Sequence, residues 1–266
     1  MIKREYGAVG TSAGEGTRLK KYTQNLPKGM LEFKGKTIIE RQIEIFRECG
    51  LEDIIIVKGF AEETINYEGI KYYINKKYHE TNMVETLMEA KEEFNDDIIV
   101  SYSDILFDKE LVEKMKNNNA KFSVAVDMNW KEYWQERYGK VDFDTESLKL
   151  DTNGNIISLG KENPKLEDID ARYIGLLKFS KEGLEKIVEI LERDYKNYED
   201  RPWKQSGKTI RKAYMTDLIQ ALIESNEEIK AEKFNNGWVE FDTNEDYEKA
   251  LEWSNSHKIN KFLKNI

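Results

Sequence analysis

Short apolar, β-branched runs alternate with stretches of helical periodicity, and this alternation restricts the fold more than any other feature of the chain. EYGAVG, residues 5–10, is partly apolar and free of helix signals, so it reads as a strand. TIIERQIEIFRECG follows, with Ile38, Ile39, Ile43 and Phe46 at helical spacing and Gly50 closing the run. DIIIVKG is then a short buried strand, IKYYIN another, and MVETLMEAKEEF a helix. DDIIVSYSD is a buried strand ending in an acid, DKELVEKMK a helix and KFSVAVD a strand. This order predicts an α/β fold with a doubly wound, mostly parallel (mixed) Rossmann-like sheet. Ligands of such sheets sit beyond the carboxyl ends of the strands. Gly14, Gly16 and Asp104 all lie just past such ends, so topology is expected to bring them together.

The second half differs in character. WKEYWQERY, residues 130–138, is dense in aromatics, and LKLDTNGNIISLGK reads as a hairpin around Asn153-Gly154. ARYIGLLKF is a strand, SKEGLEKIVEILERDY and TDLIQALIES are helices, and NGWVEFDT precedes the acidic helix NEDYEKALEW. No repeat, low-complexity segment or linker interrupts the 266 residues. One domain over 1–266 is expected, with a lid-like acceptor-side insertion at about 130–179.

Charged residues make up 35% of the chain and the formal net charge is −9, with no basic block. Neither nucleic acid nor an anionic membrane is therefore an expected partner, and any phosphate site must be a local feature. Cys49 is the sole cysteine, which excludes an intrachain disulfide and fits a reducing cytosol. The N-terminus has no apolar signal region and no run approaches a membrane span, so a soluble cytoplasmic protein is expected.

Four separated features carry chemistry. The first is the loop TSAGEGTRL, residues 11–19, where glycines let the backbone approach a ligand closely. Its amides form an anion-binding concavity, to which Arg18 adds a fixed charge. The second is Lys28, held by the stiff Pro27 in LPKGML. The third and fourth are Asp104, closing IIVSYSD, and Asp242, closing WVEF. Two strand-end acids suit one Mg2+, which takes few carboxylates and keeps its other positions for water and phosphate oxygens. Either acid alone reads equally well as a helix cap. Together with the loop and Lys28 they describe a triphosphate site that acts by electrostatic positioning of an in-line phosphoryl displacement. The aromatics Trp130, Tyr133, Trp134, Tyr102, Tyr173 and Trp238, with Asp127 or Glu240, could hold a quaternary ammonium or amine. Equally, WKEYW could be an amphipathic helix with its rings in the core.

SAGEGTRL followed by LPKGML resembles the signature of the sugar-nucleotidyltransferase superfamily. ETNMVETL, IIVSYSDILF, VAVDMNWKEYWQERY, SLGKE, RYIGLLKFS, MTDLIQALI and NGWVEFDTNEDYE resemble the branch of it that holds the phosphocholine and phosphonate cytidylyltransferases. The resemblance spans nearly the whole chain. It implies a Mg2+-dependent enzyme that transfers CMP from CTP to a small acceptor bearing a phosphate or phosphonate, such as phosphocholine or 2-aminoethylphosphonate, with release of pyrophosphate. It implies that Thr11, Ser12, Ala13, Gly14, Glu15 and Gly16 surround the base and phosphates, with Thr81, Asn82 and Ser103 also at the nucleotide. Arg18 would face the leaving pyrophosphate, Lys28 the α-phosphate and Lys161 the acceptor's phosphoryl group. Asp104 and Asp242 would hold the metal, and Asp127, Trp130, Trp134, Tyr173, Trp238 and Glu240 the acceptor. A homodimer is left open. Thr11 and Ser12 depart from the usual leucine and alanine, making the strand exit more polar. The alternatives are a sugar-1-phosphate nucleotidyltransferase using UTP or dTTP, or a non-catalytic nucleotide-binding regulatory module. A dinucleotide-binding oxidoreductase is disfavoured, because the loop lacks G-x-G-x-x-G with a matching acid.

Overall fold

The strand-forming runs assemble into one seven-stranded sheet. Its strands are β1 (Tyr6–Ser12), β2 (Asp53–Lys58), β3 (Lys71–Ile74), β4 (Asp97–Tyr102), β5 (Phe122–Asp127), β6 (Arg172–Phe179) and β7 (Ile229–Phe234). The spatial order is β7-β5-β6-β4-β1-β2-β3. The structure, a computed structural model, describes residues 6–12 and 16–264. Only β6 runs against the others, antiparallel to both β4 and β5. The sheet is thus mostly parallel and mixed, as the alternation predicts.

Helices cover both faces, and so the central strands read as unbroken apolar runs instead of alternating ones. On one face pack α1 (Ile38–Glu48), α3 (Lys109–Asn117), α4 (Trp130–Tyr138) and α7 (Asn244–Asn255). On the other pack α2 (Met83–Met88), α5 (Lys181–Tyr198) and α6 (Met215–Glu224). Among the described residues, no helix is long and apolar enough to cross a membrane.

The segment 130–179, expected as a single lid-like insertion, is divided by the fold. Glu146–Leu150 and Ile156–Glu162 form the expected hairpin as a separate antiparallel pair, with Gly154 at φ +79° in its turn. Trp130–Tyr138, in contrast, packs into a core layer, and β6 is an internal strand of the main sheet. The cause is legible in β6, where every position from Ile174 to Phe179 is buried, as an internal strand requires.

β1 is the switch point. The chain moves from β1 to β2 and β3 on one side, then crosses to β4 on the other, leaving a crevice beyond the ends of β1 and β4. A short strand, Ile105–Phe107, continues from β4 and pairs antiparallel with Trp238–Glu240. That pairing places the turn after Glu240 beside the exit of β4, with the Phe241 amide donating to the Asp104 carbonyl at 2.8 Å.

Candidate functional site

The crevice holds Lys28, Asp104 and Asp242 in direct contact. Lys28 Nζ donates to Asp104 Oδ2 at 2.9 Å and to Asp242 Oδ1 at 2.5 Å. Arg18 Nη2 reaches the other oxygen of Asp242 at 2.6 Å, and its Nη1 lies 3.2 Å from Asp144. Burial opposes the charge on Lys28, but the two carboxylates outweigh it and raise the lysine's pKa. Burial and the nearby charge of Glu240 push the Asp242 carboxyl up, against the pull of Lys28. An ammonium held between two carboxylates indicates that this pair can hold a cation.

Several local choices build this cluster. Pro27 sets an extended φ of −68° before the single turn Lys28–Met30. A Cβ at Gly29 would fall 2.6 Å from Ile39 Cδ1 and 3.0 Å from Ser103 Cβ, so glycine lets this turn seat against α1 and the β4 exit. Gly16 has φ +61°, and a Cβ there would lie 2.7 Å from Lys28 Cγ. Gln42, on the buried face of α1, donates from Nε2 to the carbonyls of Tyr102 and Ile105, 2.7 Å each. It thereby grips the backbone on both sides of Ser103-Asp104. At the other acid, Asp246 opens α7 and accepts from the amides of Asp242 and Thr243 at 3.3 and 2.9 Å. Buried Arg137 holds Asp246 through Nε and Nη2, both at 2.7 Å, and Glu240 through Nη1 at 2.5 Å.

Two cavities meet at the cluster, sharing Arg18, Lys28, Met83, Tyr102, Asp104 and Asp242 in their walls. The smaller, about 240 Å³, is also lined by Thr11, Gly16, Thr81, Asn82 and Ser103, all expected, and by Tyr78 and Thr86, which were not. Thr11 is buried and its hydroxyl lies 3.4 Å from the Ser101 carbonyl, so the polar strand exit is accommodated by the neighbouring strand. Asn82 also caps α2, accepting from the Met83 amide at 2.9 Å. Ala13, Gly14 and Glu15 lie outside the described residues, as does the side chain of Ser12.

The larger cavity, about 540 Å³, is lined by Tyr173, Trp238 and Glu240 from the expected acceptor set. Three other members of that set face elsewhere. Trp130 and Trp134 are 1% and 0% exposed and belong to the core packed under α4. Asp127 is fully buried and accepts from the amides of Asn129 and Asn236 and from Trp238 Nε1 at 2.8, 3.0 and 3.0 Å. These donors account for its burial as structure. Lys161 is exposed and lines neither cavity, whereas its neighbour Glu162 lines the larger one. The strand's register shifts between Leu159 and Glu162, where Gly160 has φ +94°, and it is the acid beside the expected lysine that lines the cavity. Sequence reasoning also missed Glu146 and Arg172 in this wall, and Gln42 and Arg137 behind it. A glutamine and an arginine on otherwise apolar helical stripes were the available signal for the last two.

Among the described residues, no group of three or more His, Cys, Asp or Glu side chains gathers as a metal site. Asp104 and Asp242, which already share the Lys28 ammonium, offer a two-carboxylate donor set of the kind that suits a hard cation such as Mg2+ when phosphate oxygens and water complete its shell.

Residues 11–140 match the MobA-like NTP transferase domain. The chain is 36% identical over 261 residues to the CTP:phosphoglutamine cytidylyltransferase of Campylobacter jejuni, covering 92% of this chain and 99% of that protein. It is 27% identical over 250 residues to the choline-phosphate cytidylyltransferase of Streptococcus pneumoniae, covering 92% and 96%. The solved structure of the CTP:phosphocholine cytidylyltransferase from Streptococcus pneumoniae superposes with a TM-score of 0.72 at 23% identity, over 93% of this chain and 98% of that one.

Proposed function

The chain belongs to the nucleotidyltransferase family, in its cytidylyltransferase branch, and on that premise we propose that it transfers CMP from CTP to a small acceptor bearing a phosphate or phosphonate, releasing pyrophosphate. The observation that carries this reading is the Lys28–Asp104–Asp242 cluster, with Arg18 beside it, at the junction of two cavities. A nucleotide in the smaller cavity and an acceptor in the larger would meet at these charges.

In this reading Thr11, Thr81, Asn82 and Ser103 border the nucleoside, and Gly16 leaves room for the phosphates. An acceptor oxygen forms a bond to the α-phosphorus as the bond to the pyrophosphate oxygen breaks in line. Lys28 stabilises the charge that develops at the α-phosphate, and Arg18 the charge on the departing pyrophosphate. Magnesium, when held by Asp104 and Asp242, would neutralise the triphosphate and free Lys28 from one or both carboxylates. No covalent residue is required. Two anions approach one another here, so positive charge at the junction is the central requirement of the chemistry.

Purified protein incubated with Mg2+, each nucleoside triphosphate in turn, and phosphoglutamine, phosphocholine or 2-aminoethylphosphonate tests the reading by pyrophosphate release. Release with CTP well above that with UTP or dTTP is expected. Preference for UTP or dTTP with a sugar phosphate would move the chain to the sugar-nucleotide reading, and no release with any pair would remove the proposal.

A further inference from the structure

The wall of the larger cavity carries an arginine with unmet donors. Arg172, at the start of β6, lines the cavity, and its Nε and Nη1 are buried without a hydrogen-bond partner. Its guanidinium centre lies 4.4 Å from the centroid of the Trp134 ring, so the buried indole is a floor that orients the charge. Glu146 and Glu240 lie near enough to interact with it electrostatically. Neither comes within ion-pair distance, and Glu240 is instead committed to Arg137 at 2.5 Å. Buried guanidinium N–H groups without acceptors are costly unless a ligand supplies them.

The rest of the wall limits what that ligand can be. Besides Arg172, Lys28 and Arg18, the cavity presents Asp104, Asp144, Glu146, Glu162, Glu240 and Asp242. Carboxylates thus outnumber cations by six to three, and a purely anionic acceptor would meet net repulsion even after two acids take up magnesium. A quaternary ammonium would satisfy the acids but leave Arg172 bare. Both demands are met by an acceptor with a carboxylate and an ammonium at the end remote from its phosphoryl group.

Resting on the transferase reading above, we propose that Arg172 is the specificity-determining residue of the acceptor site. It receives the carboxylate of a phosphorylated amino acid, while Glu146 and Glu240 face the adjacent ammonium. The guanidinium fork matches a carboxylate bidentately, which a lysine does not.

The test compares two acceptors that differ by one group: amide-phosphorylated glutamine and its decarboxylated analogue, the phosphorylated amide of 4-aminobutyramide. Wild-type protein is expected to prefer the first by at least about tenfold in kcat/KM. Arg172→Gln should raise the KM of the first by a similar factor, erase the preference and leave the KM of CTP alone; Arg172→Lys should restore only part of it. Equal use of the two acceptors by wild type, or a preference that survives in Arg172→Gln, overturns the proposal. The wild-type comparison stands even where the variant folds poorly. Calorimetric binding of the same compounds separates this inference from the transferase reading. Arg172-dependent discrimination without pyrophosphate release keeps the carboxylate site and removes the reaction, and release without discrimination does the reverse.

Discussion

At the scale of single residues, the site depends on charges that stay only where backbone and neighbours hold them. Asp104→Asn and Asp242→Asn each remove a carboxylate from the cation cluster, and each is expected to lower kcat by about two to three orders of magnitude. Near-normal turnover at moderate magnesium in either variant would show that the residue is no metal ligand. Gly16→Ala forces φ +61° on a residue with a Cβ and drives that atom toward Lys28 Cγ. Its strain is of order 1–2 kcal/mol, and it should cost activity more than stability, as steady-state rates beside a urea titration would reveal. Cys49 tests burial at the C-terminal end of α1. It is 8% exposed, and burial pushes its thiol pKa up to about 11. The thiolate is the reactive form, so Ellman's reagent should leave native protein almost unmodified near neutral pH, react faster as pH rises toward that value, and react at once in denaturant. Rapid reaction in the native state would contradict the burial.

At the scale of elements, α4 supports the site from behind. Its stripe Trp130, Tyr133, Trp134, Arg137 packs into the core, and the one charged member ties α4 to the first turn of α7 and to Glu240. Arg137→Met leaves the buried Asp246 and the half-buried Glu240 without their shared cation, an expected loss of about 3 kcal/mol by chemical denaturation. Because Asp246 also fixes the amides of Asp242 and Thr243, turnover should fall as well. Unchanged stability would mean that the three groups relax to solvent. Trp130→Ala, by contrast, is expected to cost about 3–5 kcal/mol of stability while sparing the acceptor KM, as befits a ring buried away from the cavity. A selective rise in that KM would return Trp130 to the acceptor site.

At the scale of the whole molecule, the cluster joins the Lys28–Met30 turn, the exit of β4 and the turn before α7, so a ligand that binds there bridges distant parts of the chain. Lys28, Asp104 and Asp242 come from three separate stretches, and two cavities share them. CTP with magnesium should therefore raise Tm, by the equivalent of about 2.7 kcal/mol at a hundredfold excess over Kd. Chelation with EDTA should remove most of that shift, and Asp104→Asn should blunt it without altering the Tm of the free protein greatly. A metal-independent shift of the same size would place the nucleotide without help from the two acids.

The fold class and much of the lining of the smaller cavity are written in the sequence. Strand and helix alternation dictates the parallel sheet, and strand-end positions dictate that Thr11, Ser103 and Asp104 border one crevice, because all parallel strands present their carboxyl ends on the same edge. Pro27 before Lys28 is equally local information. The larger cavity is different. Periodicity in WKEYWQERY reveals that one face is buried, but the same stripe serves a protein core or a ligand, and only the packing of α4 beneath the sheet selects the core. Lys161 and Glu162 are neighbours in a strand whose register shifts between Leu159 and Glu162, so the hairpin's local geometry and placement decide which of them faces the cavity. Arg172 opens an ordinary strand sequence. Its meaning comes from the antiparallel insertion of β6 between β4 and β5 and from the Trp134 ring beneath it, contacts between segments far apart in the chain that only tertiary structure creates.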